Sequence, residues 1–231
     1  MSYKSTRSLI RLFLHLVAKM DVTGLENIPT SGATIAVSNH LGRLDALMPY
    51  TFSDRLDITM MIAEKYYANP IFRFLGKQLD GVFIDRFNPD VGALREVFNR
   101  LKRGDLLVMA PEGTRSPTEA LIEGRPGSGY LAVKAGVPIV PVGITGTEDH
   151  LVVQQLGRLR RVRITARVGK LFRLPPFDNK HREEVVQHAT EEIMCQIAAL
   201  LPPHNRGIYA NHPRLAELLK QPQSVAEMKS I

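Results

Sequence analysis

Apolar and polar positions alternate along the chain in two rhythms. One repeats every three to four residues and the other every two. Arg7 to Met20 follows the first and is predicted as one helix. Its polar positions Arg7, Arg11, His15 and Lys19 recur every four residues. Each such step turns about 40° around a helix, so the four fill a polar arc of about 120°. Leu9, Ile10, Leu12, Phe13, Leu14, Leu16, Val17 and Met20 fill the remainder. A wide apolar face beside a cationic stripe suits a helix lying in a lipid interface, and equally one docked on the protein's own core.

Short apolar runs then alternate with helical spacing. Thr34–Val37 reads as a strand feeding Ser38-Asn39-His40, and a helical stretch begins at Ala46. Ile58–Ala63, Gly81–Ile84, Leu106–Ala110, Pro138–Ile144 and Arg161–Val168 read as further strands. Helices are predicted at Pro70–Leu79, Asp90–Arg103, Gly129–Ala135 and Glu183–Leu200, the last stopped by Pro202-Pro203. A short helix, Pro213–Lys220, follows. Pro138 and Pro141 remove ladder donors, so their strand is expected at a sheet edge or with a bulge. This order predicts an α/β fold, a mixed and mostly parallel sheet flanked by helices, with an amphipathic membrane-associated helix in front. The expected division is 1–20 for that helix, 21–205 for the main domain and 206–231 for a tail.

Composition narrows the class. With 44% hydrophobic and 23% charged residues among 231, the chain is a normal globular one. Its formal net charge of +7 favours anionic partners: nucleic acid, acidic membranes or phosphorylated substrates. Arg158, Arg160, Arg161, Arg163 and Arg167 cluster late in the chain. Aromatics are 6% and none interleaves with that cluster, which argues against base stacking and for anionic lipid or an acidic carrier protein. The single Cys195 excludes an internal disulfide and sits in a helical run, as a buried thiol would. No stretch of about 18 uninterrupted apolar residues predicts a membrane span.

Candidate chemistry gathers at strand ends. His40 follows the first apolar strand and can accept a proton near neutral pH. Asp45, five residues on, either orients His40 across a tight turn or caps the next helix. Pro111-Glu112-Gly113-Thr114-Arg115-Ser116 follows a buried strand. Arg115 offers a planar fork for phosphate, with Thr114 and backbone N–H groups as further donors. Glu112 would orient an arginine or bind a substrate hydroxyl; the alternative is a solvated loop. Arg86 emerges after Gly81–Ile84 as a second phosphate candidate or a surface charge.

Taken together and in this order, four blocks resemble the glycerolipid acyltransferase family. They are Asn39-His40 with Asp45, Gly81 to Arg86, Glu112-Gly113-Thr114-Arg115, and the Val137-Pro138 strand. The likeness covers about residues 21–205. The resemblance implies acyl transfer to a hydroxyl of lysophosphatidate, giving phosphatidate. His40 would be the general base and Asp45 its partner. Arg86, Glu112, Gly113, Thr114 and Arg115 would hold the acceptor's phosphate end, and Pro138 would line the wall near the donor. Acyl-CoA or an acyl carrier protein would be the donor. No cofactor or metal is implied, and the cytoplasmic face of a membrane is the expected location, with peripheral or monotopic attachment. Another lysophospholipid, glycerol 3-phosphate or a glycolipid would need the same base. A non-catalytic lipid- or anion-binding module would need neither His40 nor Asp45. Arg43 would touch donor phosphates or point outward, and Gly127-Ser128-Gly129 receives no role from the resemblance.

Overall fold

A computed structural model of the protein describes residues 3–85, 88 and 90–220. Seven strands form one sheet: β1 Ala18–Thr23, β2 Thr34–Ser38, β3 Ile58–Ala63, β4 Val82–Ile84, β5 Leu106–Met109, β6 Ile139–Thr145 and β7 Val162–Val168. Their order across the sheet is β1-β7-β6-β2-β5-β3-β4. All pairs are parallel except β6 with β7. The helices are α1 Tyr3–Val17, α2 Pro49–Phe52, α3 Pro70–Gln78, α4 Val91–Arg103, α5 Pro126–Ala135, α6 Asp149–Gly157, α7 Arg182–Leu200 and α8 Pro213–Lys220. The expected α/β fold, with a mostly parallel sheet flanked by helices, is the observed one.

Two apolar clusters sandwich the sheet. One joins Ile35, Val37, Leu107 and Ile139 to Val97 of α4, Leu131 of α5, Ile193 and Ile197 of α7, and Leu215 of α8. The other joins Ala36, Val108, Val140 and Ile164 to Ile10 and Leu14 of α1 and to Met48 and Tyr50. Strands buried on both faces read as continuous apolar runs, which is why β2, β5 and β6 were plain in the sequence. Cys195 lies within the first cluster, and burial pushes its thiol up to about 12.

Three local expectations change. The first helix ends at Val17, because Ala18 onward pairs with Val162 onward as an edge strand. The alternation Ala18-Lys19-Met20-Asp21-Val22-Thr23 carries that signal. The proline-bearing strand β6 lies inside the sheet, between β7 and β2, not at an edge. It is irregular at the proline all the same. Val142 pairs with Val168, but three residues earlier Ile139 pairs with Phe172, so the partner spends one residue more. Gly169 N donates to Pro141 O there, and the missing Pro141 donor falls on this interrupted side.

The third change concerns the cationic stripe. Arg7 and Arg11 face the protein. Arg7 Nε donates to Tyr50 O at 3.1 Å, Nη1 to Arg55 O at 2.7 Å, and Nη2 to Ser53 O. Arg11 Nε reaches Tyr50 O at 3.0 Å and Nη2 reaches Asp54 Oδ1 at 2.8 Å. These guanidinium groups bind the unpaired carbonyls where α2 ends. The apolar residues Leu9, Leu12, Phe13 and Leu16 are left exposed.

Candidate active site

β2 delivers His40 to the carboxyl end of the sheet, where parallel α/β folds open their clefts. Asn39 keeps the strand's last rung closed with its side chain. Its Nδ2 donates to Ile144 O and its Oδ1 accepts from Ile144 N, both at 2.8 Å. The chain then turns through a 3-10 segment, Arg43–Leu47. Asp45 comes back beneath His40, and Asp45 Oδ2 accepts from His40 Nδ1 at 2.9 Å. The same oxygen takes Leu41 N at 2.6 Å and Gly42 N at 2.9 Å. Capping and orienting are therefore one arrangement, since one carboxylate oxygen serves both. An ionised carboxylate accepts only, so the His40 proton sits on Nδ1 and Nε2 keeps its lone pair. Nε2 has no hydrogen bond among the described residues, and His40 lines the cleft.

Glu112 lies under this turn rather than in the cleft. It is 2% exposed. Its Oε1 accepts from His40 N at 2.9 Å and its Oε2 from Ile122 N at 3.1 Å. Burial outweighs these two bonds and pushes its carboxyl up to about 7. Ser116 N donates to His40 O at 2.8 Å, so the His40 backbone is held on both sides. Gly113, Thr114 and Arg115 do line the cleft. Gly113 has φ 66°, and a Cβ there would lie 2.5 Å from Arg125 Cδ, so the turn depends on glycine.

Arg115 pairs with Asp149 through Nη1 and Oδ2. Asp149 Oδ1 also accepts from Arg43 N at 2.9 Å. Asp149 thus fastens the two predicted cationic positions together at the amino end of α6. Asp149 is not among the residues expected from the sequence, and the signal for it is Thr147-Glu148-Asp149 following a strand. Arg125, also unpredicted, lines the cleft above Gly113. Arg86 lies outside the described residues. Pro138 is not brought to the site. Its carbonyl bonds Ile35 N at the opposite end of β2, and the five residue steps from there to His40 span at most about 17 Å.

The cleft has a volume of about 1240 Å³. Met60 and Ile62 of β3 and Leu75 and Leu79 of the α3 region give one side an apolar wall. Arg43, Arg115, Asp149 and His150 make the other side polar. The sheet order places β2, and so His40, between these sides. The site can therefore hold an apolar chain on one side of an imidazole base and an anion on the other. Among the described residues no group of three or more His, Cys, Asp or Glu could hold a metal ion.

An α/β sheet that carries a His-Asp pair on the turn after a central strand, beside a long apolar wall, defines an enzyme class. The family model Acyltransferase matches residues 19–145, more than half of the chain, and the protein belongs to that family. The chain is similar to the chloroplastic 1-acyl-sn-glycerol-3-phosphate acyltransferase of Brassica napus, 30% identical over 59% of this chain and 44% of that one. It is also similar to the 1-acyl-sn-glycerol-3-phosphate acyltransferase of Escherichia coli K12, 28% identical over 82% of this chain and 70% of that one. Among solved structures, the 1-acyl-sn-glycerophosphate acyltransferase PlsC of Thermotoga maritima superposes with a TM-score of 0.60 at 28% identity, covering 83% of this chain and 79% of that one. The first curated relatives matched are longer, and the chain spans 36 to 58% of their length.

Proposed function

We propose that the protein transfers an acyl group from a thioester donor, acyl-CoA or acyl carrier protein, to the free hydroxyl of lysophosphatidate, yielding phosphatidate. One observation carries this reading: Asp45 fixes the His40 tautomer and leaves a basic Nε2 facing a cleft with an apolar wall. The named relatives support lysophosphatidate as the acceptor.

The mechanism follows from the geometry. The acceptor hydroxyl is a weak nucleophile at neutral pH. His40 Nε2 takes its proton as the oxygen attacks the thioester carbonyl carbon. The imidazolium then carries positive charge directly against the Asp45 carboxylate. When the tetrahedral intermediate collapses, the C–S bond breaks, and the leaving thiolate recovers the proton from His40. Glu112 and Ser116 act through the backbone and hold His40 in place. Arg115, with Thr114 and Arg86 as expected neighbours, binds the acceptor's phosphate by exchanging Asp149 for it. That exchange is affordable, since both side chains of the ion pair are about one-third exposed and such pairs are worth about 1 kcal/mol or less. The reading includes a membrane-surface location, because donor, acceptor and product all carry long chains. Among the described residues no helix is long and apolar enough to cross a membrane.

Purified protein given labelled acyl-CoA and lysophosphatidate should form phosphatidate. His40→Ala should lose at least the ~10²-fold typical of a general base, with the thermal midpoint little changed. A variant that keeps half the wild-type rate sinks this assignment.

A further inference from the structure

One carboxylate gathers the cations on the polar side of the cleft. Asp149, the first residue of α6, uses both of its oxygens. Oδ1 accepts from Arg43 N at 2.9 Å, while Oδ2 takes Arg115 Nη1 and lies 3.8 Å from Arg43 Nε. These donors come from two separate turns, 106 and 34 residues before Asp149. All three residues line the cleft, and both side chains of the Arg115 pair are about one-third exposed, so a ligand can reach them. A guanidinium fork and a backbone N–H converging on one anion are equally the donors that a phosphate monoester takes.

The position of this carboxylate suits the acceptor. Arg43 follows His40 by three residues, so their backbones lie no more than about 11 Å apart. The N–H groups between them, of Leu41 and Gly42, are taken by Asp45. That of Arg43 goes instead to Asp149. The turn and the start of α6 are pressed together, since a Cβ on Gly42 would lie 1.7 Å from Thr147 O. In a 1-acyl lysophosphatidate the phosphate stands on the carbon next to the one that bears the free hydroxyl. It must therefore sit close to the proton that His40 removes. The Asp149 carboxylate sits in such a place, against the turn that carries the base.

We propose that Asp149 is an internal stand-in for the acceptor's phosphate. Its seat is Arg115 together with the N–H and guanidinium of Arg43, and the seat selects acceptors by charge. This rests on the acyl-transfer reading, which supplies the phosphate-bearing acceptor. A phosphate monoester carries a charge of about −1.5 to −2 near pH 7, against the single charge of the carboxylate, so it takes the donors from Asp149. A neutral acceptor such as a monoacylglycerol brings no charge and leaves the pair closed. The selection is mild, because a pair this exposed is worth about fivefold or less in an equilibrium. The arrangement also assigns Arg43 to the acceptor's phosphate rather than to those of the donor.

Asp149→Asn tests this, because its Oδ1 still accepts from Arg43 N while the charge that holds Arg115 is gone. Inorganic phosphate is the probe, and its affinity is read from the rise in thermal midpoint of the full chain with phosphate concentration. The Kd for phosphate should fall about fivefold in Asp149→Asn. In an Arg115→Ala background the same substitution should change the Kd less than about twofold, which ties the effect to the pair. The KM for lysophosphatidate should fall as well, and that for monoacylglycerol should not. A phosphate Kd that is unchanged in Asp149→Asn, or no phosphate binding by either protein, overturns the stand-in. A higher Kd overturns it too, and makes Asp149 a group that positions Arg115 for its ligand. A fivefold fall that persists without Arg115 removes Arg115 from the seat and overturns the proposal. Equal falls in KM for both acceptors overturn selection by charge. Tighter phosphate binding with no phosphatidate formed leaves the stand-in in place and removes the acyl-transfer reading instead.

Discussion

Replacing Glu112 by glutamine keeps the side-chain volume and removes the titration. In the folded protein the Glu112 carboxyl is pushed up to about 7, against 4.5 for an unperturbed glutamate. The sign follows from proton counts. Between pH 4.5 and 7 the folded chain retains a proton that the unfolded chain has released. Raising the pH through that window therefore withdraws stability. Each unit of separation corresponds to about 1.4 kcal/mol, so the whole window is worth about 3 kcal/mol. Glutamine carries no such slope. It carries another cost instead. Its Nε2 would face one of the two amide donors, His40 N or Ile122 N, and a donor left unpaired there costs about 1–3 kcal/mol. A protonated carboxyl still has a lone pair on each oxygen, so the wild type does not meet this conflict at low pH. The variant should therefore be less stable than wild type near pH 4.5, and the difference should shift by about 3 kcal/mol in its favour towards pH 7.5, cancelling or reversing the gap. Urea unfolding of both proteins at several pH values measures it. A gap constant within about 0.5 kcal/mol across the range would show that burial does not hold the Glu112 proton. The same variant should lower kcat more than it raises KM, since Glu112 touches the His40 backbone and not the cleft.

Arg115→Ala should raise the KM for the phosphate-bearing acceptor more than that for the donor, and lysine should restore only part, because a point charge lacks the planar fork. Equal acceptor and donor effects in steady-state kinetics would reject the phosphate assignment. Gly129→Ala should destabilise the fold by about 1–3 kcal/mol in chemical denaturation, since a Cβ there would lie 2.2 Å from Thr190 Oγ1 and 2.5 Å from Val186 O on α7. An alanine variant as stable as wild type would show that α5 and α7 can separate freely. This contact also gives the second glycine of Gly127-Ser128-Gly129 its reason, which is helix packing and not chemistry.

The site was legible where chemistry and local pattern coincide. A histidine at the end of a buried strand, followed within one turn by an aspartate, is a short-range arrangement that spacing alone can describe. Glu112 is the contrary case. Its sequence neighbours line the cleft, but its own direction depends on Ile122 and on the His40 backbone, 72 residues away in sequence. Asp149 was missed for the same reason, since its partners Arg43 and Arg115 come from distant turns. Pro138 was misplaced because an apolar strand reads alike at both ends, and only the pairing with β2 shows which end meets His40. The first helix shows the sharpest difference. Its periodicity set Ile10 and Leu14 apart from Arg7, yet all three face the protein, while His15 and the apolar Leu9, Leu12, Phe13 and Leu16 stay exposed. The carbonyls that bind Arg7 and Arg11 belong to residues 50–55, and no window over α1 contains them.

Asn39 has a consequence for how such a site can change. Its amide imitates a peptide group and stitches β2 to β6 one step beyond the strand's own backbone. The main chain at His40 is thereby released from the sheet, and its N–H and C=O go to Glu112 and Ser116. The base thus has its position fixed by this seam together with Asp45, Glu112 and Ser116. Loops that carry none of these groups can lengthen, shorten or change sequence without moving the imidazole. A chain built this way can exchange one lipid for another by altering its walls while its reactive centre stays where it is.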